Sequence, residues 1–221
     1  MRRDGTVSAA LSIGVGVGIY GVSFGVLAVA AGLSAAQACV MSMLTFTGAS
    51  QFAFIGVLSA GGTPAAAMGP AVMLALRNAA YGLSVTPILP KSLGRRLVLS
   101  HVVIDETTAM AKAHDDPDRA RQAFIATGIS VWIFWNAGTA IGALAGDWLG
   151  DPRALGLDAM FPAAFLALLA PQLRHAGAPV AAIVGAAVAI ALVPFTQVGV
   201  PVIAAIVGVV PGLLVARGVR Q

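Results

Sequence analysis

Ser50 and Gln51 are polar residues in the middle of a long apolar stretch, and Thr47 precedes Gln51 by four residues on the same helical face. A glutamine amide without partners costs several kcal/mol in hydrocarbon, so Gln51 must face protein, water or a ligand. A hydrogen bond to a neighbouring helix is the alternative to a binding role. We expect Ser50 and Gln51 to line a polar cavity beside a non-helical point near Gly48.

Arg77, Asn78 and Tyr81 form a second polar group, and Arg77 is the first charged residue after Asp4. An arginine at the centre of a membrane helix costs about 2.5–3.5 kcal/mol, so it usually faces a cavity or an opposite charge. The alternative is that its long side chain reaches the membrane surface. We interpret these three residues as candidates for substrate binding.

Asp105 and Glu106 are adjacent acids within an apolar stretch, and His101 lies four residues before Asp105 on the same helical face. Burial favours the protonated form of a carboxyl group, which is the property that a proton relay requires. The other seven acids are terminal or in loops, so these two are the predicted partners of Arg77. The alternative is a surface helix with both acids in water.

Other kinds of chemistry lack their motifs in this sequence. The glycines of residues 16–21 match G-x-G-x-x-G, but they lie in a charge-free run without the strand, helix and acidic residue that a nucleotide site needs. There is no phosphate-binding G-x-x-x-x-G-K-[ST] motif and no pattern of metal ligands. We therefore predict no enzyme activity, no cofactor and no metal. Trp132 and Trp135 are interpreted as markers of the membrane interface.

The amino-acid composition predicts the class of fold in which these residues lie. Of 221 residues, 58% are hydrophobic and 10% are charged, and the mean hydropathy is +0.90. These values exclude a soluble globular protein and a disordered chain. The net charge of +4 comes from basic clusters at the edges of apolar runs, which favour a lipid bilayer rather than a nucleic acid as partner. The fold class is an all-α integral membrane protein.

Seven apolar segments are long enough to be predicted as helices, and residues 97–113 are an ambiguous eighth. A bundle of seven or eight transmembrane helices follows, with the orientation of the N-terminus left open. Gly69-Pro70 is expected to kink the third segment. Glycines at four-residue spacing predict close helix packing. The segments are 9–31, 35–60, 65–89, 122–145, 157–171, 178–193 and 199–215.

A weak internal repeat relates the two halves of the chain. The residues around Gln51 resemble those around Gln172, and the Gly-Gly-Thr-Pro of residues 61–64 is matched by Ala-Gly-Ala-Pro at 176–179. We predict one membrane domain, 1–221, with possible repeat halves 8–113 and 122–216. Secondary transporters are often built this way, although chance similarity among small residues is the alternative.

Several of these motifs together resemble the AzlC family, the large subunit of a branched-chain amino acid exporter. They occur in the family's order and spacing, and the stretch from Gly156 to Ala163 fits as well. The resemblance covers nearly the whole chain. Its motifs are Ser23-Phe24-Gly25, Thr47-Gly48-Ala49-Ser50-Gln51-Phe52, Arg77-Asn78-x-x-Tyr81-Gly82 and Asp105-Glu106.

The resemblance implies export of valine, leucine, isoleucine or similar small amino acids across the bacterial cytoplasmic membrane. It also implies a small membrane partner of the AzlD type. An ion or proton gradient is the expected driving force, with Asp105 and Glu106 as the proton-coupling candidates. A permease subunit of an ATP-driven complex and a non-transporting membrane scaffold are the alternatives.

Overall fold

The computed structural model describes residues 3–148, 163, 166 and 169–218, and no β-strand occurs among them. The predicted all-helical membrane fold is confirmed. Two 3₁₀ turns, Thr86–Ile88 and Ala205–Gly208, connect α-helices. The α-helices whose bounds lie within the described residues are α1 (Arg3–Ala30), α2 (Ala35–Leu44), α3 (Gly48–Ser59), α4 (Pro64–Ala75), α5 (Arg77–Val85), α6 (Leu93–Ser100), α7 (Asp105–Lys112), α8 (Pro117–Trp148), α9 (Ala178–Leu192), α10 (Val200–Ala204) and α11 (Val209–Gly218).

Three helical stretches in the described part of the chain are long and apolar enough to cross a membrane on their own: Gly5–Ala30, Pro117–Gly146 and Val200–Gly218. The apolar helices α2, α3 and α9 are shorter, between 10 and 17 residues. A ten-residue helix is about 15 Å long, roughly half of the hydrocarbon core. The predicted segment 157–171 lies mostly outside the described residues, so it stays a prediction.

The second and third apolar segments are not the continuous helices that the sequence predicts. The first interruption, Thr45–Thr47, separates α2 from α3 and directly precedes Gly48, where a non-helical point is expected. The second interruption is at Leu76, between α4 and α5. The helix continues through Pro70, so the third segment breaks six residues after the predicted kink. The third interruption, residues 101–104, separates α6 from α7 and divides the ambiguous segment.

The described residues belong to two compact units. The first comprises residues 1–51 and 75–151, and the second comprises residues 52–74 and 152–221. All of the predicted site residues belong to the first unit. The single-domain assignment and the predicted repeat halves remain predictions.

Glycines pack α1 against α8 in the first unit. A Cβ atom on Gly21 would lie 2.6 Å from the carbonyl oxygen of Trp135, and one on Gly142 would meet the carbonyl oxygen of Val22. Such contacts require glycine, since any larger side chain would force the two backbones apart. The predicted close packing of glycine faces is confirmed here, and also in the second unit, where Gly208 lies against α9.

Local residues end α1 and begin α2. Gly32 has a φ of 95°, a left-handed conformation that glycine adopts without strain. The Ser34 side chain accepts a hydrogen bond from the backbone N–H of Gln37 at 3.2 Å, and the Gln37 side chain accepts one from the Ser34 N–H at 2.8 Å. This reciprocal cap directs the chain from α1 into the first interrupted segment.

Candidate functional site

The Gln51 side chain forms hydrogen bonds with the backbone at the first interruption. Its Nε2 donates to the backbone carbonyl of Thr45 at 2.7 Å and lies 3.5 Å from that of Ser42. Its Oε1 accepts a hydrogen bond from the indole Nε1 of Trp135 at 3.0 Å, and Gln51 itself is fully buried. The amide therefore faces protein on both its donor and acceptor sides.

Trp135 on α8 packs against the same interruption. Its ring packs against Gly48 so closely that an added Cβ atom on this glycine would lie 3.1 Å from the ring. The ring also stacks on Phe24 of α1, with ring centroids 6.0 Å apart. The side chain is 4% exposed, so its interpretation as a marker of the membrane interface is wrong. Sequence reasoning missed this residue because its partner, Gln51, lies 84 positions away.

Buried hydroxyl groups surround the first interruption. The Ser50 and Thr47 hydroxyl oxygens are 3.4 Å apart, and the hydroxyl of Ser42 on α2 lies 3.1 Å from that of Thr139 on α8. All four residues are buried. Hydroxyl groups are small enough to fit between closely packed helices while satisfying the backbone that an interruption exposes. The predicted residues Ser50 and Gln51 thus lie in a polar core rather than on the lipid-facing surface.

Arg77 and Asn78 begin α5, directly after the second interruption. The guanidinium Nη2 of Arg77 lies 3.9 Å from Oδ1 of Asp105, which confirms the predicted pairing with an acid. That separation allows charge attraction but exceeds hydrogen-bond length. The two side chains are 35% and 45% exposed, so the pair is open to exchange with another charged group.

The same cluster includes Tyr81 and Glu106. Tyr81 is one helical turn beyond Arg77 and is close enough to Arg77, Asp105 and Glu106 for their charges to act on its phenol group. Two atoms in the cluster are buried without a hydrogen-bond partner among the described residues: Nε of Arg77 and Oδ1 of Asn78. One is a donor and the other an acceptor. Both have unused hydrogen-bonding capacity beside a pair of opposite charges.

The third interruption brings Asp105 to this cluster. The Thr107 hydroxyl contacts the backbone carbonyls of Val102 at 2.8 Å and Ile104 at 3.0 Å, and it accepts from the Ile104 N–H at 3.1 Å. Thr107 is fully buried. The turn before α7 is therefore held by its own side chain, and Asp105 and Glu106 occupy the first turn of α7, where the helix dipole stabilises negative charge.

The arrangement offers a positive and a negative charge at adjacent helix interruptions, with unpaired hydrogen-bonding atoms beside them. The two charges are opposite in sign to those of a small molecule that carries both an anionic and a cationic group. Over the residues that the structure describes, no group of three or more His, Cys, Asp or Glu side chains is arranged to hold a metal ion.

Comparisons with known proteins place this cluster inside a matched region. The AzlC protein family matches residues 12–149, which contain every predicted site residue. Membrane proteins of several organisms are similar to the chain. A membrane protein of Archaeoglobus fulgidus is 34% identical, covering 80% of this chain and 80% of its own length. The inner membrane protein YgaZ of Escherichia coli is 31% identical, covering 88% and 81%.

The branched-chain amino acid transport protein AzlC of Bacillus subtilis is 26% identical, covering 86% of this chain and 76% of its own length. No solved structure matches the chain. The names of these relatives and the apolar helices confirm the predicted location in a membrane. Since the family match spans well over half of the sequence and contains the whole cluster, the chain belongs to the AzlC family.

Proposed function

We propose that this protein is a membrane transporter that exports branched-chain or similar small apolar amino acids across the bacterial cytoplasmic membrane. Family membership and the name of the Bacillus subtilis relative support a transport role. The observation that carries the proposal is the Arg77–Asp105 pair, which is partly exposed and too long for a hydrogen bond. A small membrane subunit of the AzlD type is the proposed partner.

An amino acid substrate is a zwitterion, and each of its charges has a counterpart in the cluster. Its carboxylate would accept from the Arg77 guanidinium, whose Nε has no hydrogen-bond partner among the described residues, because arginine binds carboxylates through parallel N–H donors. Its ammonium group would bind Asp105 and Oδ1 of Asn78, which likewise has no partner in the described part of the chain. The substrate would thus separate one long ion pair and form two shorter ones.

Ser50, Gln51 and Tyr81 complete the proposed site. Tyr81 lies beside the charges, whereas Ser50 and Gln51 act through the first interruption, where Ser50 contacts the Thr47 hydroxyl and Gln51 donates to the Thr45 carbonyl. Because the Gln51 amide is already bonded to Thr45 and Trp135, direct contact with substrate would require the interruption to open. Interrupted helices near the membrane midplane form the substrate sites of many secondary transporters.

We further propose that Glu106 couples export to a proton gradient. Asp105 is the acid that lies 3.9 Å from the Arg77 guanidinium, so we assign proton binding and release to its neighbour, Glu106. Proton release on one side of the membrane and uptake on the other would then accompany each substrate. Export driven by a proton gradient needs no nucleotide, whereas export by an ATP-driven permease requires ATP.

The coupling is tested in proteoliposomes loaded with radiolabelled valine under an imposed pH gradient. We expect Glu106→Gln to retain valine exchange at zero gradient but to lose the acceleration that the gradient produces. Asp105→Asn should weaken exchange itself, since it removes the ammonium partner. If both variants retain full efflux that depends on the pH gradient, neither residue is the coupling site.

A further inference from the structure

His101 lies in the third interruption and contacts the end of α2. Its Nε2 is 2.9 Å from the backbone carbonyl oxygen of Met43. In a continuous helix that carbonyl would accept from the N–H of Thr47, but this N–H bonds to the Thr45 carbonyl at 2.6 Å. The imidazole therefore replaces a hydrogen bond that the first interruption removes.

The same ring makes a second contact with the first interruption. It stacks on Phe46, with ring centroids 5.9 Å apart and planes inclined by 26°. Phe46 is buried, so its ring is a fixed surface for the imidazole. The His101 side chain thus joins the first and third interruptions through a hydrogen bond and a ring contact. Together these two contacts fix the orientation of the imidazole ring.

The connection continues from His101 to the charged cluster. Only the turn of residues 102–104 separates His101 from Asp105, and Thr107 holds this turn through the carbonyls of Val102 and Ile104. Asp105 in turn lies 3.9 Å from Arg77 at the second interruption. A short, internally bonded path therefore runs from the carbonyl of Met43 to the proposed substrate site.

We propose that His101 is a positioning residue that sets the place of Asp105 opposite Arg77 by anchoring the third interruption to the first. This inference rests on the proposed function, because the position of Asp105 matters through the substrate that it would bind. His101 need not touch the substrate. A change at the first interruption would reach Asp105 through this side chain, so the interruptions would shift together when the site changes shape.

The proposal is tested with two measurements on the full-length protein, one of which does not depend on transport. Cys39 is replaced by serine, and spin labels are placed at Leu44→Cys and Ala109→Cys, two exposed positions on α2 and α7. The distance between the labels is measured by pulsed electron paramagnetic resonance. The second measurement is the valine concentration that half-saturates exchange in proteoliposomes.

We expect His101→Ala to broaden the distance distribution and to raise the half-saturating valine concentration about tenfold, with the maximal exchange rate changed less than about twofold. His101→Gln, which retains an N–H donor, should restore most of both properties. His175→Ala is the matched control, because the His175 ring is bonded to the nearby carbonyl of Gln172 at 3.0 Å, and no other bond of this ring is seen among the described residues. This control should resemble the parent protein in both measurements.

An unchanged distance distribution in His101→Ala would overturn the inference. An altered distance distribution with an unchanged half-saturating valine concentration would overturn it as well. In that case His101 would hold the two interruptions together without positioning Asp105 for the substrate. The parent protein could exchange no amino acid while its distance distribution still responds to His101→Ala and recovers in His101→Gln. The proposed function would then be wrong, and the structural link that His101 makes between the first and third interruptions would be confirmed.

Discussion

Gln51 and Arg77 are the two residues on which the polar core and the charged cluster depend. Both are polar side chains in apolar sequence, which predicts that each needs a partner. The partner of Arg77 is predictable by elimination, because only two acids lie in apolar sequence, and Asp105 is the one that pairs. The partner of Gln51 is not, because the indole of Trp135 is one of many possible donors and is brought near only by packing of α8.

A first prediction concerns the Gln51 amide. We expect Gln51→Leu to lower the free energy of unfolding by about 1–3 kcal/mol, because the Trp135 N–H and the Thr45 carbonyl would lose a buried partner. Thermal unfolding in detergent measures the change. Gln122→Leu on the exposed surface of α8 is the control and should have little effect. Equal stability of both variants would show that the amide does not hold the interruption.

A second prediction separates binding from stability at Arg77. We expect Arg77→Gln to raise the half-saturating valine concentration at least about tenfold, because the carboxylate partner is lost. Stability should change by no more than about 1 kcal/mol, since the ion pair is long and partly exposed. Arg95→Gln, at an exposed position of α6, is the matched control for both measurements. Equal valine affinity in the two variants would remove Arg77 from the site.

The helix interruptions are the elements that sequence patterns do not predict well. The first and third contain no glycine or proline, and consist of Thr45–Thr47 and residues 101–104. Their β-branched residues lower helix propensity only slightly. The backbone groups of the interruptions are bonded by side chains, locally by Gln51 and Thr107 and from a distant position by His101. Hydrophobic periodicity carries no signal for such contacts.

Glycine packing between helices is predictable, because four-residue spacing of small residues is a local property of the sequence. We expect Gly142→Ala to destabilise the protein by about 1–3 kcal/mol, because the added methyl group would meet the backbone of Val22. Gly16→Ala is the matched control: a Cβ there meets nothing within 4 Å, so the change should be neutral or slightly stabilising. Thermal unfolding of the two variants checks the difference, and equal unfolding temperatures would contradict the close packing of α1 and α8.

For the whole molecule, composition predicts the fold class because long charge-free runs leave few alternatives to membrane helices. The internal repeat is a weaker prediction, since it rests on short matches among small residues. Its paired glutamines have different surroundings: Gln51 is buried and bonded, whereas Gln172 is exposed. The repeat remains a prediction for the relation between residues 10–90 and 122–193.

Exchange of small apolar amino acids across a membrane without ATP is the proposed activity of this chain. Counterflow of radiolabelled valine tests it most directly, in proteoliposomes that contain unlabelled valine inside and neither nucleotide nor an ion gradient. Parallel samples contain or lack the proposed small subunit of the AzlD type. We predict transient accumulation of label that excess leucine abolishes and excess glutamate does not. No accumulation in either sample, or accumulation only when ATP and a nucleotide-binding protein are added, would contradict the account.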